Sequence, residues 1–349
     1  MFQNKLSPIY RHLLPTNVLN IELPEERFAD CDNCHHCQSD KNFRYETKCC
    51  DYHPKLPNYI VGAILNDESP ELAEGKRRIL EKIAHRKGVT PYGIIAPMDY
   101  HKKFQANRQN KKEAALQAEM TALKCPYLDG GRCSIYKYRS DICPVFYCMS
   151  SSGTKGSRFW NTAHQYMIAV ERKLTLYAMQ QQGYPLLKLQ LGGIGPNTFK
   201  LESDKEEVKP KVYTNIWKEW EGKEIEFYTQ CFKTVLEMNA VQVSELLGIE
   251  ENLKGQQMAE LATKMALIDI PDFLQLDKSH PLVAAMQHKE KVQLSDGKTI
   301  QIPQIQRMLL KSFNGRTSTL SIVQKGNLVK KNLSHLLVPL MKEGVLKKC

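Results

Sequence analysis

The chain has 349 residues, of which 42% are apolar and 25% are charged, a composition typical of an ordinary globular protein with a sizeable core. This length predicts two or three domains. The net charge of +11 favours an acidic partner, such as nucleic acid or an acidic protein, although solubility alone also accounts for it. No apolar run approaches the roughly 20 residues that span a bilayer, and the N-terminus lacks the apolar core of a secretory signal. We therefore expect no membrane contact and a cytoplasmic location.

Residues 1–30 contain three prolines and little periodicity, which predicts an extended lead-in. The next stretch, residues 31–50, is the first cysteine segment. A C-x2-C-x2-C run is followed there, after eleven residues, by an adjacent pair, which together comprise Cys31, Cys34, Cys37, Cys49 and Cys50. In a chain without a secretory signal, clustered thiols are more often metal ligands than disulfide partners. The segment therefore predicts a loop of metal ligands.

A helix is predicted after this loop, with Ser69 as its N-cap and Gly88 at its end. Its apolar residues recur at helical intervals: Leu72, Ile79, Leu80 and Ile83. Its basic residues are interpreted as a solvated face, with an anion-binding surface as the alternative: Lys76, Arg77, Arg78, Lys82, Arg86 and Lys87. Prolines and a glycine in residues 90–112 predict loops or short strands, and a helix is predicted over residues 110–124.

The second cysteine segment runs from Cys125 to Cys148 and reads CPYLDGGRCSIYKYRSDICPVFYC. Its thiols are those of Cys125, Cys133, Cys143 and Cys148. Proline follows Cys125 and Cys143, removes a backbone donor and turns the chain away from a ligand. Bacterial ferredoxins have the same Cys-Pro step at the end of a cluster-binding run. The segment predicts half of a metal site whose other ligands come from the first cysteine segment.

The spacing of the thiols bears on which metal they would hold. Structural zinc sites use four ligands, commonly from two C-x2-C knuckles, whereas the gaps of seven, nine and four residues in the second cysteine segment are long for that arrangement. A three-thiol run with a remote Cys-Pro fits a 4Fe-4S cluster better. We therefore predict an iron–sulfur cluster with zinc as the alternative, since thiolate sites accept both metals. Whether the metal is structural or catalytic stays open.

Together, the two cysteine segments resemble the cysteine-cluster family of zinc- or iron-chelating domains, the CxxCxxCC or YkgJ-like family. In that family a first cluster ending in adjacent cysteines is paired with a phrase like CPFLDGGRCSIYEYRPLVC, and the resemblance covers roughly residues 31–150. This chain departs from the pattern in the insert 38–48 and in Ser140, where the family often has proline. The resemblance implies about eight thiolate ligands, and this chain offers nine. Flagellin lysine N-methylases resemble this family as distant members of it.

The rest of the chain is predicted to be mainly helical until its last 70 residues. A helix is predicted over residues 157–182, a boundary over residues 186–211, and further helices from Tyr213 onward. A hairpin around Asp296 and Gly297 then precedes a helix over residues 304–312, a turn at Asn314 and Gly315, a helix capped by Ser318, and a helix over residues 332–342. This order is similar to a winged-helix-like module of the PqqD type.

The predicted fold class is mainly α, with a loop-rich metal-binding N-terminal domain and a small α+β winged-helix-like C-terminal domain. The predicted domains are residues 1–185, 212–275 and 280–349. The first functional hypothesis is a metal-binding protein, with Cys31 as the spare thiol and a C-terminal module that recognises a protein or peptide. The alternatives are an iron–sulfur-dependent enzyme of the lysine N-methylase type and a metal- or redox-sensing regulator that binds DNA. The basic residues of that regulator would be Lys311, Arg316, Lys325, Lys330 and Lys331. The sequence contains no Ser-His-Asp arrangement, HExxH motif, P-loop or Rossmann fingerprint, which excludes the commoner enzyme classes. Whether the chain has another enzymatic activity stays open.

Overall fold

The computed structural model describes residues 1–24, 26, 47–112, 123–147, 150, 152–186, 201–202, 207–265, 271, 273–288, 291–319, 321–322 and 333–349. These residues form a mainly helical protein with a few small antiparallel sheets, which confirms the coarse fold class. Across the described ranges, no helix combines the length and apolar character that crossing a membrane requires.

The helices are, in chain order, α1 Thr16–Leu19, α2 Asn58–Asn66, α3 Ala73–His85, α4 Met98–Lys112, α5 Ile142–Val145, α6 Gly153–Gln181, α7 Pro210–Trp217, α8 Glu224–Leu236, α9 Ala240–Leu247, α10 Ile249–Lys264, α11 Pro281–His288, α12 Gln304–Leu310 and α13 Leu333–Lys342. The strands are β1 Leu56–Pro57, β2 Val89–Thr90, β3 Gly93–Ile94, β4 Leu128–Asp129, β5 Arg132–Cys133, β6 Phe273–Leu276, β7 Lys291–Gln293, β8 Thr299–Gln301, β9 Asn314–Ser318 and β10 Leu346–Lys348.

The chain divides into two compact units, which are described separately. The first unit comprises the described parts of Met1–Asn20, Tyr45–Phe146 and Ala163–Gln256. The second unit comprises the described parts of Ile21–Arg44, Tyr147–Thr162 and Gln257–Cys349. The three predicted domains stay a prediction.

Helix α2 forms the centre of the first unit. Its sequence, NYIVGAILN, is apolar on every side, and all of its residues but the last are buried. It packs along α8, and the two backbones come closest at Gly62, where an added Cβ atom would overlap the carbonyl oxygen of Tyr228. Glycine at this position therefore permits the close packing of α2 on α8.

A three-stranded antiparallel sheet in the order β1, β3, β2 lies against this helix pair. Leu56 and Val89 both pair with Ile94 in the central strand. Two buried side chains anchor β2, since Tyr228 Oη donates to the carbonyl oxygen of Thr90 at 2.7 Å and Trp217 Nε1 donates to that of Val89 at 3.2 Å. The sheet is thus tied to the helices that follow it in the chain.

Several predicted elements of the first unit are confirmed and others are wrong. The long helix predicted over residues 157–182 is confirmed as α6, and α7 to α10 confirm the helical region after Tyr213. The prediction of loops or short strands over residues 90–112 is wrong from Met98 onward, where α4 begins. The prolines and the glycine that suggested a loop all precede this helix. Leu123 and Lys124 are not helical, and residues 113–122 of the predicted helix 110–124 lie outside the described residues.

Ser69 occupies the predicted N-cap position of the first turn, but its side chain does not act as a cap. The Ser69 side chain makes no cap hydrogen bond to the 3₁₀ turn Pro70–Leu72 that it precedes. Its hydroxyl and its backbone N–H both donate to Asp67 instead. An aspartate two residues earlier therefore competes successfully with the orphan amides of the turn for the serine hydroxyl.

The second unit has a compact core of its own. β6 is the central strand of an antiparallel sheet in the order β10, β6, β9, and β7 and β8 form a separate hairpin. The core is built from apolar side chains of these strands, of α11 to α13 and of the segments that connect them, namely Leu274, Leu276, Met286, Val292, Ile302, Leu310, Phe313, Ile322, Leu336, Leu337, Leu340, Val345 and Leu346. The sequence pattern predicts Leu320, Ile322, Leu333, Leu336, Leu337 and Leu340 as core residues; the last three and Ile322 are confirmed, and the side chains of Leu320 and Leu333 lie outside the described residues.

The predicted elements of this unit are mostly confirmed. Val292 pairs with Ile300 in the hairpin. Ser318 Oγ accepts a hydrogen bond from the N–H of Ser321 at 3.2 Å, as an N-cap does. The free turn predicted at Asn314 and Gly315 is wrong, because these residues begin β9, which pairs with β6. The Asn-Gly pair was misleading because such residues also occur at irregular strand ends.

Candidate metal centre

The second cysteine segment contains a hairpin close to two of its thiols. β4 and β5 pair antiparallel, with Leu128 opposite Cys133. Gly130 and Gly131 form the two-residue loop and have φ angles of 49° and 83°. Positive φ at both loop positions is the geometry of a type I′ turn, which glycine adopts without steric strain. The hairpin therefore carries Cys133 at its end, and Cys125 lies three residues before β4.

Cys143 lies in the short helix α5, whose start is held by Asp141. Asp141 Oδ1 accepts a hydrogen bond from the N–H of Ile142 at 2.6 Å. The N–H of Cys143 donates to the carbonyl oxygen of Ser140 at 3.0 Å. Pro144 follows and has no N–H to donate. These contacts orient the backbone at Cys143.

A backbone hydrogen bond joins the two cysteine segments. The N–H of Cys125 donates to the carbonyl oxygen of Cys50 at 2.7 Å. Cys50 is itself part of a turn, in which its N–H donates to the carbonyl oxygen of Thr47 at 2.8 Å. The end of the first cysteine segment therefore lies beside the beginning of the second, although they are far apart in sequence.

The described thiols of the second cysteine segment favour their neutral form. Burial, together with the nearby thiols of Cys133 and Cys50, raises the pKa of Cys125 to about 12. Burial likewise raises the pKa of Cys143, and the thiols of Cys125 and Cys133 add to the effect. Burial also raises the pKa of Cys133, against the opposing charge of Arg139. A group of this kind becomes a set of thiolates only when a cation such as a metal compensates the charge.

Two buried hydroxyl groups flank these thiols. Within the described parts of the chain, neither Tyr127 Oη nor Ser140 Oγ has a hydrogen-bond partner. Burial and the nearby thiols of Cys125 and Cys133 raise the pKa of Tyr127, so its hydroxyl keeps its proton. Unsatisfied donors are uncommon in protein interiors. Hydroxyl donors beside several thiols fit the surroundings of a thiolate-bound metal, whose sulfur atoms accept hydrogen bonds.

Five of the nine predicted ligands lie within the described residues. Cys49, Cys50, Cys125, Cys133 and Cys143 are described. The other four, Cys31, Cys34, Cys37 and Cys148, lie outside the described residues. In the described ranges alone, no three side chains of histidine, cysteine, aspartate or glutamate are arranged so that they could hold a metal ion. The metal site, and the choice between iron–sulfur and zinc, therefore stay a prediction.

A buried acidic network lies next to Cys143. Glu171 Oε1 accepts hydrogen bonds from Tyr10 Oη at 2.8 Å and from the N–H of Asp141 at 2.7 Å. Tyr10 Oη is also 3.0 Å from Tyr59 Oη. Burial, and then the nearby carboxylate of Asp141, raises the pKa of Glu171 well above its ordinary value. This environment favours the neutral form of Glu171, which supports the backbone at the start of α5 through its hydrogen bond with Asp141.

One face of α3 lies along the second cysteine segment. An added Cβ atom at Gly75 would overlap the carbonyl oxygen of Ser134. Three residues later, the Arg78 guanidinium donates to the carbonyl oxygens of Pro126 at 2.9 Å and Leu128 at 3.0 Å. The interpretation of the basic residues of α3 as a solvated face is therefore wrong for Arg78, which holds the backbone on either side of Tyr127.

Other basic residues of α3 do match a solvated face. Arg77 pairs with Glu74 and Glu81 on its own helix, and Lys76 pairs with Glu68. The signal that distinguishes the two faces was present in Gly75. A glycine inside a helix costs about 1 kcal/mol relative to alanine, so it indicates a close approach of another backbone.

Comparison with known proteins was made at three levels. The chain matches no protein-family model, no curated protein and no solved structure. The resemblance to the cysteine-cluster family therefore depends on the cysteine spacing and the CPYLDGGRC phrase and stays a prediction.

Proposed function

We propose that this chain is a metal-binding protein of the cysteine-cluster type and that it carries a 4Fe-4S centre. One such cluster takes four thiolates, and the proposed ligands are drawn from eight, with Cys31 as the spare thiol: Cys34, Cys37, Cys49, Cys50, Cys125, Cys133, Cys143 and Cys148. The observation that carries the proposal is the 2.7 Å hydrogen bond between Cys125 and Cys50, which brings thiols of both cysteine segments into one neighbourhood. Zinc is the alternative metal, because thiolates bind both.

The surroundings of the thiols support the same proposal. Buried thiols with raised pKa values do not ionise near neutral pH by themselves, so they gain charge only on binding a cation. When bound, an iron–sulfur cluster would supply one-electron chemistry and a covalent link between the cysteine segments. The residues of this chain then orient the ligands, through the hairpin at Cys133, the cap at Asp141 and the Arg78 guanidinium.

We also propose that the C-terminal module, residues 280–349, recognises a protein or peptide partner, as its similarity to the PqqD-like winged-helix modules implies. Support comes from its separate hydrophobic core, which allows it to act as a module. Lys311 and Arg316 are exposed in this unit, so their charge is accessible to an acidic partner. DNA binding that weakens with salt and is lost on charge reversal at these two residues would instead favour the regulator.

The experiment that tests the metal centre is anaerobic purification of the full chain, followed by iron, zinc and sulfide analysis and an absorption spectrum. We expect iron and sulfide with a broad band at the edge of the visible range. Cys125→Ala and Cys143→Ala should lose most of the metal, while Cys349→Ser, a control at a thiol outside both cysteine segments, should retain it. A colourless zinc-loaded protein would refute the iron–sulfur assignment, and a wild-type protein without either metal would refute the proposed function.

The enzyme alternative requires a different assay. Methyl transfer from S-adenosylmethionine to a lysine peptide, present in the metal-loaded wild type and absent in Cys143→Ala, would favour a protein-modifying enzyme. No turnover with the metal in place would leave the binding function.

A further inference from the structure

Lys82 lies on the same face of α3 as Gly75 and Arg78. Residues spaced by three, four and seven positions share one side of a helix. Arg78 on this face binds the carbonyl oxygens of Pro126 and Leu128, and Lys82 Nζ is 3.3 Å from His53, whose ring centroid is 6.4 Å from that of Tyr127 in the second cysteine segment. The electrostatic interaction between Lys82 and the thiol of Cys125, which opposes the lowering of the lysine pKa by burial, is consistent with this placement.

The amine of Lys82 is held by the ring of a buried histidine. Lys82 Nζ is 3.3 Å from His53 Nε2, and His53 Nδ1 is 3.0 Å from the carbonyl oxygen of Pro54. A carbonyl oxygen only accepts hydrogen bonds, so Nδ1 carries the proton and Nε2 presents its lone pair to the lysine. Burial, and next the charge of Lys82, lowers the pKa of His53 to about 3. The neutral ring therefore positions the ammonium group without neutralising it.

Among the described residues, no carboxylate lies within ion-pair distance of this ammonium group. In the part of the chain that the structure describes, Lys82 forms no ion pair, whereas Lys76 on the same helix pairs with Glu68 at 3.0 Å. The carboxylates of Asp99, Glu202 and Glu81 interact with Lys82 only at longer range, and their charges raise its pKa. Both oxygens of Glu202 already accept backbone hydrogen bonds, from Gly88 at 3.0 Å and Met98 at 2.7 Å. A partly buried cation without a counter-ion is unfavourable unless negative charge lies nearby.

We propose that Lys82 is a positioning residue of the metal centre, whose ammonium group, held by His53, offsets the negative charge of the thiolates around Cys125. This inference rests on the proposed function. A thiolate-bound iron–sulfur cluster becomes more negative on reduction, so a nearby positive charge stabilises the reduced state and raises the reduction potential. The same charge stabilises any metal–thiolate centre, including a zinc site, against loss of the metal.

The test uses the full chain, purified anaerobically with its metal, in four variants. Lys82→Gln removes the charge and keeps a donor for His53, Lys82→Met removes both, and Lys82→Arg keeps the charge. Lys76→Met is the matched control, because it removes a lysine of the same helix that is already paired. The readouts are the midpoint potential from a spectroelectrochemical titration and the rate of metal release to a chelator, with circular dichroism to verify folding.

We expect Lys82→Gln and Lys82→Met to shift the midpoint potential to more negative values and to release the metal about tenfold faster. Lys82→Arg and Lys76→Met should remain close to wild type. If the centre holds zinc, only the rate of metal release tests the inference. Metal-loaded, folded Lys82→Gln and Lys82→Met proteins with wild-type potential and release rate would overturn this inference and leave the proposed function standing. A wild-type protein without iron or zinc would overturn both.

Discussion

At the residue scale, Glu171 shows how a side chain outside both cysteine segments shapes their surroundings. It is 5% exposed and, among the described residues, has no cationic partner within ion-pair distance. Its carboxyl group instead accepts hydrogen bonds from a tyrosine hydroxyl and from the N–H of Asp141. Because burial raises its pKa, the protonated form is the one that the fold stabilises.

This burial predicts a pH dependence of stability. The pKa of Glu171 is raised on folding, so its contribution is fully present below its ordinary value of 4.5 and is lost as pH rises toward the folded pKa. Glu171→Gln keeps the acceptor oxygen and cannot ionise. We expect this variant to be more stable than wild type at pH 8, with a difference that shrinks toward pH 4, since each unit of pKa shift corresponds to about 1.4 kcal/mol.

The measurement for Glu171→Gln is urea unfolding of the wild type and the variant across this pH range. Glu245→Gln is the control, because Glu245 is exposed on α9. Parallel stability curves for wild type and Glu171→Gln would show that Glu171 is ionised in the folded protein.

At the scale of elements, α3 and the hairpin β4–β5 form one packed unit. The helix approaches the backbone at Ser134 through Gly75, and Arg78 reaches the carbonyl oxygens on either side of Tyr127. The Arg78 side chain is 19% exposed, whereas that of Arg77 is 60% exposed. Both arginines form ion pairs, Arg78 with Glu74 and Asp129, but only Arg78 also binds the backbone of the hairpin region.

Replacing these two arginines separates the roles. Arg78→Met should lower the free energy of unfolding by about 2 kcal/mol, because two partly buried carbonyl oxygens lose hydrogen bonds from a charged donor. Arg77→Met should change it by less than about 0.5 kcal/mol, as is usual for exposed ion pairs. Thermal and urea unfolding of both variants would measure the difference. Equal effects would contradict the assignment of Arg78 as the residue that holds the hairpin.

At the scale of the whole molecule, the two units differ in how they are stabilised. The second unit has a continuous apolar core, built from strands and helices that are close in sequence. The part of the first unit that carries the described cysteines consists of turns, two-residue strands and a four-residue helix. Such a region contributes few long hydrogen-bond ladders of its own, so a bound metal would supply much of its order.

Metal removal should therefore act on the described region around these cysteines. After chelation, we expect faster hydrogen exchange at the amides of Cys50 and Cys125, whose hydrogen bonds lie next to the proposed ligands. The amides of α13 in the second unit should exchange at the same rate with and without the metal. Hydrogen exchange measured by mass spectrometry on the holo and chelated protein tests this. Unchanged exchange at both cysteines would contradict a metal that joins the two segments.

The sequence by itself determined the elements whose signals are local. The apolar periodicity of α6 and the alternation around Asp296 and Gly297 predict structure correctly, because a helix face or a hairpin is specified by residues a few positions apart. Local signals can also mislead: the prolines before α4 predicted a loop, although a helix begins directly after them. The clustering of thiols and the candidate ligands were likewise evident from spacing alone.

Only the tertiary structure decided which distant residues meet. Nothing in the local pattern indicates that Cys125 binds the backbone of Cys50, that Arg78 and Lys82 turn inward while Arg77 does not, or that Glu171 is buried beneath α5. These outcomes depend on how helices and turns from separate parts of the chain pack together. Packing depends on the shape and chemistry of both partners at once, whereas periodicity reports on one element at a time.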